Sequence, residues 1–133
     1  MKKAYLSISY QNRKKLSAEM EVIQTALALN QIELFVFIDN YQFAPSEEKQ
    51  MMQQAFTDIT SADLLIAEVS EKAIGVGIEI GYASALNKPI VYLRNTHSEH
   101  STTASGCAAH SIIYQNPEDL AQKLKEMAAT LQF

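Results

Sequence analysis

The chain has 133 residues, is 47% hydrophobic and 20% charged, and carries a net charge of −4 with a pI near 5.3. That length and balance suit one globular domain spanning 1–133, able to bury roughly 68–70% of its unfolded surface, and exclude a disordered chain. Mild acidity without a basic stripe speaks against a nucleic-acid polymer as partner, and one cysteine excludes both a disulfide framework and a Cys-based zinc cage.

Ala4–Ser9 (AYLSIS) reads as a first strand; Ser7 and Ser9 interrupt it, so it is not the apolar core of a secretory leader. No apolar run approaches the ~18–20 residues of a membrane span, and a cytoplasmic location is the expectation. From Asn12 to Asn30 the apolar residues Leu16, Met20, Ile23 and Leu27 recur at helical spacing. Ile32–Ile38 (IELFVFI) is rich in β-branched and aromatic residues and predicts a buried second strand. Ser46, followed by Glu47 and Glu48, is placed to cap a helix whose inner face carries Met52, Ala55, Phe56 and Ile59. Asp63–Val69 is almost continuously apolar, as a central parallel strand should be. A short helix over Gly77–Leu86 ends at Asn87 and Pro89, and strands follow at Pro89–Leu93 and His110–Tyr114. Pro117 to Leu131 closes the chain as a helix with Leu120, Leu124, Met127 and Leu131 inward. This alternation predicts right-handed crossovers and a five-stranded parallel sheet in the order 2-1-3-4-5, with ligands at the C-terminal strand ends.

Several residue groups at that edge are candidates. Gly75, Gly77 and Gly81 suggest a tight turn and a helix packed closely on the sheet, but their spacing is not that of a dinucleotide fingerprint. Glu79 follows them, either as a carboxylate stabilising a helix start or as a nucleophile or base. Arg13, Lys14 and Lys15 either meet an anionic ligand or form a solvated surface. Thr96–Gly106 is a long polar loop whose Ser101, Thr102, Thr103 and Ser105 hydroxyls suit a phosphate. His97, His100 and Cys107 match no standard metal spacing, and neither a metal nor any other cofactor is expected.

The run Ala62-Asp63-Leu64-Leu65-Ile66-Ala67-Glu68-Val69-Ser70, continued by Gly75-Val76-Gly77-Ile78-Glu79-Ile80-Gly81-Tyr82-Ala83, resembles the nucleoside 2-deoxyribosyltransferase superfamily. Within it, the likeness points to the 2′-deoxynucleoside 5′-monophosphate N-glycosidases. The resemblance implies a flavodoxin-like three-layer α/β fold, a homodimer or larger homo-oligomer, and cleavage of the N-glycosidic bond of a small nucleoside or nucleotide. By position, Glu79 matches the family's nucleophilic glutamate, and Tyr5 a tyrosine that contacts it. Gly75 and Gly77 match glycines lining the sugar and phosphate pocket. Ser9 and Tyr10, after the first strand, join the expected substrate contacts, and Ser101 to Ser105 would reach a neighbouring subunit's site. Two positions depart from the pattern: Ala55 stands where members carry Asp, and Ala73 where they carry Asp or Ser. Asp58 is one turn from Ala55, but on a helix running away from the ligand edge. Asp39, ending the second strand, is therefore the expected acid, with Tyr10 sharing the task.

The chemistry implied needs no metal. A carboxylate below C1′ stabilises oxocarbenium character and captures it as a glycosyl-enzyme, while an acid protonates the departing base. Hydrolysis of a deoxynucleoside 5′-monophosphate is the expectation. The alternatives are base exchange between free deoxynucleosides and a non-catalytic nucleotide-binding module.

Overall fold

The computed structural model describes residues 1–132. Five strands, β1 (Lys2–Ile8), β2 (Ile32–Val36), β3 (Leu64–Glu68), β4 (Ile90–Asn95) and β5 (His110–Tyr114), pair in parallel in the order β2-β1-β3-β4-β5. Because side chains alternate along β1, Ala4, Leu6 and Ile8 enter one core layer and Tyr5 the other. The first layer lies under α2 (Ser17–Ala28) and α7 (Pro117–Ala128), which supply Ile23, Leu27, Leu120 and Leu124. The second lies under α4 (Glu48–Ser61) and α5 (Ile74–Ala85), which supply Ile59, Val76, Ile80 and Ala83. Each fully buried Leu or Ile contributes about 1.5–3 kcal/mol, so both layers hold the sheet firmly. Among the described residues, no helix is long and apolar enough to cross a membrane.

Several local expectations change. The single helix expected from Asn12 to Asn30 is two: α1 (Tyr10–Lys15), capped by Ser9 Oγ accepting from the Asn12 N–H at 3.1 Å, then α2 after a break at Leu16. Arg13, Lys14 and Lys15 thus lie in the last turn of α1, where a helix favours cations rather than repelling them. The second strand is an edge strand and ends at Val36, giving way to the short turn α3 (Phe37–Asn40), which Asn40 Nδ2 ties back to the Val36 carbonyl at 2.7 Å. Ser46 does not cap α4; it lies in a 3-10 turn, Pro45–Glu47, closed by the Ala44 N–H donating to Glu47 Oε1. The polar loop after β4 contains the short helix α6 (Thr102–Gly106), capped by Ser101, with Ala104 buried against its own domain.

The start of α5 matters most. It begins at Ile74, so Gly75 and Gly77 are helical and Glu79 falls in the second turn. No glycine has positive φ, and a methyl group at Gly77 or Gly81 would meet nothing within 4 Å. The contacts with the sheet come from Val76, Ile80 and Ala83; the glycines lie on the exposed face and do not bring the helix closer. Asn87, at φ 59°, ends the helix in the left-handed conformation that Asn tolerates.

Candidate active site

Tyr5 and Ser7 alternate onto the same face of β1 and point at α5. There the Tyr5 hydroxyl donates to Glu79 Oε2 in a short hydrogen bond, and Ser7 Oγ donates to Glu79 Oε1 at 2.6 Å. Both carboxylate oxygens therefore have a donor, and each keeps a further lone pair. Burial raises the Glu79 pKa above the ordinary carboxylate range, while the Ser7 and Tyr5 bonds pull it back down. Tyr5, buried beside that carboxylate, has its own pKa driven far upward, so it remains a donor. Such an arrangement holds one carboxylate in a fixed orientation, half-buried, with its charge supported by two neutral hydroxyls.

Tyr5 lies mid-strand, paired with Phe35 on one side and Leu65 on the other, and Glu79 is at the middle of α5. Ser7, the other donor, is the second-last residue of β1, so the Glu79 carboxylate lies just below the C-terminal edge while the Tyr5 ring extends from it down the face of the sheet. This depth brings in a second acid. Asp58, in the last turn of α4, acts on the Tyr5 hydroxyl through its charge, and it also raises the Tyr41 pKa after the effect of partial burial. Its Oδ1 accepts from Gln54 Nε2 at 3.0 Å, whereas its Oδ2 is buried without a hydrogen-bond partner. Half-buried Phe37, Tyr41 and Phe43 cluster beside it, with Phe37 and Tyr41 ring centroids 4.9 Å apart.

Asp39 does not join this group. It is exposed and held by Arg13 through paired bonds of 2.9 and 2.8 Å, in a cavity of about 330 Å³ shared with Met20, Leu34 and Val36. Met20, Leu34 and Val36 belong to the layer under α2 and α7, so the sheet separates Asp39 from Glu79. Asp39, the acid expected from the sequence, thus lies away from Glu79, and Asp58, set aside because α4 runs away from the edge, is a carboxylate on the Glu79 face. Tyr10 is 60% exposed on α1, with the Lys14 ammonium over its ring.

At the C-terminal edge, Ser9 Oγ donates to Glu71 Oε1 at 2.7 Å. Ser101 and Thr103 line a cavity of about 410 Å³ with Ala73, Gly77, Gly81 and Cys107, a space that does not include Glu79. Gly75, Thr102 and Gly77 are exposed, and Ser105 is half-buried. Ser101 and Thr103 therefore lie beside their own chain's α5, while Thr102 and Ser105 do not line that space. Sequence reasoning also passed over Glu68, buried on the opposite face of β3. It accepts from Tyr114 at 2.5 Å and from the Ser70 amide and hydroxyl at 2.8 Å each; Ser70 Oγ in turn accepts from the Asn95 N–H. Glu68 thereby ties together the ends of β3, β4 and β5. Among the described residues, no group of His, Cys, Asp and Glu could hold a metal ion. The period-two spacing of Tyr5, Ser7 and Ser9 was the available signal that all three share a face.

A doubly wound parallel sheet in the order β2-β1-β3-β4-β5, covered by helices on both faces, defines the class: a flavodoxin-like α/β domain. The chain belongs to the nucleoside 2-deoxyribosyltransferase family, whose model matches residues 4–128. It is 42% identical over 74 residues to a protein of Syntrophotalea carbinolica that carries the name 2′-deoxynucleoside 5′-phosphate N-hydrolase 1 as a candidate assignment; the match covers 53% of this chain and about half, 52%, of that one. Among solved structures, a CMP N-glycosidase of Clostridium botulinum superposes with a TM-score of 0.69 at 25% identity, over 95% of this chain and 99% of the other. A 2-deoxyribosyltransferase of Bacillus psychrosaccharolyticus shares the fold, with a TM-score of 0.69 at 16% identity over 92% and 95% of the two chains.

Proposed function

We propose that the protein cleaves the N-glycosidic bond of 2′-deoxynucleosides or their 5′-monophosphates, with Glu79 as nucleophile. The observation that carries this reading is the pair of hydrogen bonds from Tyr5 and Ser7 to the two oxygens of a half-buried Glu79. A carboxylate oriented in this way attacks C1′, forming an ester as the C1′–N bond breaks and the base departs with the bonding electrons. Asp58, the other carboxylate whose charge reaches the Tyr5 hydroxyl on that face, is the acid that protonates the leaving base. Phe37, Tyr41 and Phe43 offer flat surfaces on which a base stacks. Water then hydrolyses the ester with overall retention, or a second base intercepts it.

Hydrolysis of the 5′-monophosphate draws its support from the name of the Syntrophotalea relative, and base exchange from the deoxyribosyltransferase that shares the fold. A homo-oligomer, which the family resemblance implies, would use the outer face of α5, where Ile74 is 85% and Ile78 46% exposed beside Gly77 and Gly81. The test is chromatography of deoxynucleosides and their monophosphates after incubation, with and without an acceptor base. Release of free base by the wild type and its loss in Glu79→Gln support the assignment. Unchanged release by the glutamine variant refutes Glu79 as nucleophile.

A further inference from the structure

We propose that Glu68 is a positioning residue for Glu79: through Ser70 it anchors the approach to α5, and with it the place at which Glu79 meets Tyr5 and Ser7. This inference rests on Glu79 as the nucleophile. Glu68 ends β3 on the face opposite Glu79, is 1% exposed, and takes no part in the chemistry described above. Taking a carboxylate out of water is costly, and the donors that offset it here are all neutral: the Tyr114 hydroxyl, the Ser70 N–H and Ser70 Oγ. Three donors meeting two oxygens need a group that only accepts; an amide of the same size would turn its own N–H toward one of them. These bonds hold the chain where it leaves the sheet. The Ser70 pair closes a turn directly after β3, and Ser70 Oγ accepts from the Asn95 N–H at 2.9 Å, bracing that turn against the end of β4. Tyr114 braces it from the end of β5, where the Tyr114 carbonyl also accepts from the Thr96 N–H.

The start of α5 needs such an anchor. Its first residues are exposed Ile74 and Gly75, then Val76 turned into the core and exposed Gly77. Glycine favours the open chain over the helix, and Ala73 before them makes no side-chain cap. Between Ser70 and Ile74 the side-chain tethers are Glu71 on Ser9 and the exposed Lys72–Glu99 pair, which water screens. Glu79 lies in the next turn, so a shift or fraying of the first turn carries its carboxylate off the two hydroxyls. The link is mechanical: burial, Ser7 and Tyr5 govern the Glu79 carboxyl, and the Glu68 charge on the far side of the sheet does not.

The experiment compares Ser70→Ala and Glu68→Gln with the wild type in steady-state base release, well below the unfolding temperature of each variant. Leu124→Val is the control, since it loosens the core layer on the Glu68 face without touching the turn. Ser70→Ala and Glu68→Gln are each expected to lose at least fivefold in kcat per folded molecule, more than any rise in KM, while Leu124→Val loses stability alone. Amide hydrogen exchange in Ser70→Ala should quicken at Gly77, Ile78 and Glu79 at least tenfold more than at Leu65 and Ile66, central-strand amides that report global unfolding. A loss below fivefold in either variant, a loss confined to KM, or an equal loss in Leu124→Val marks Glu68 as merely structural and overturns the proposal. If Glu68→Gln does not fold, Ser70→Ala decides by the same criteria. If the wild type releases no base, it is the Glu79 reading that has failed. The exchange rates then decide alone, and exchange at α5 that quickens no more than at β3 overturns the anchoring.

Discussion

Tyr5→Phe removes one hydroxyl and leaves the buried ring in place, so its effect falls almost entirely on Glu79. A hydrogen bond to a charged group contributes about 1.5–3 kcal/mol, and this one is made on a largely buried carboxylate whose pKa burial already raises. With Tyr5 silent, only Ser7 opposes that burial, and the Glu79 pKa rises further. Each 1.36 kcal/mol is tenfold in the protonation equilibrium, so the ionised fraction on the acidic side falls by about 10- to 100-fold. Because the nucleophile must be ionised, the acidic limb of the pH–rate profile for base release should move to higher pH, while the plateau changes less. Stability follows the same sign. A carboxylate with a raised folded-state pKa makes the folded protein bind more protons than the unfolded chain, so stability falls as pH rises from the ordinary carboxylate range through the raised value. Tyr5→Phe should deepen that fall, and urea unfolding at a series of pH values measures it. Ser7→Ala acts on the other oxygen, and a double-mutant cycle should give a coupling of about 0.5–3 kcal/mol. An acidic limb that stays in place in Tyr5→Phe, with an unaltered pH dependence of unfolding, would refute the coupling.

Glu79→Gln should fold normally and lose several orders of magnitude in kcat with little change in substrate affinity, and its urea midpoint should vary less with pH than that of the wild type. Asp58→Asn is expected to lower base release by about 10²–10⁴-fold, whereas Asp39→Asn should stay within a few-fold of wild type, since Asp39 is paired with Arg13 beyond the sheet; the reverse order in steady-state rates would restore Asp39 as the acid. Tyr114→Phe removes a donor from buried Glu68, whose pKa burial raises against the Tyr114 and Ser70 bonds; unfolding free energy at neutral pH should drop by about 1.5–3 kcal/mol and recover partly on acidification. Ile78→Glu should yield monomers in sedimentation velocity, and an unchanged sedimentation coefficient would exclude the α5 face as the contact between copies.

The order of elements and their pairing were legible because periodicity is a local property. Alternating strands and helices with short connections leave few topologies once crossovers must be right-handed, and β2-β1-β3-β4-β5 is among them. Glu79 also stood out, through the glycine-flanked run in which it lies. Periodicity says which face a residue occupies and not how far along the sheet it lies. Asp58 was set aside because α4 descends from the ligand edge. Yet the Tyr5 side chain, which bonds Glu79, runs back along the sheet face from mid-strand, and its hydroxyl lies within the electrostatic reach of Asp58 on that descending helix. Asp39 failed for the opposite reason: it lies near the expected edge but on the α2 side, because the strand ends at Val36 and the turn after it carries the side chain toward Arg13. The sequence by itself determined the alternation of strands and helices, the parallel sheet and the candidate nucleophile. Tertiary structure decided which hydroxyls hold Glu79, which acid shares its face, and that Glu71 occupies Ser9. Each of these depends on the height and tilt at which separate elements pack, and no local pattern encodes that.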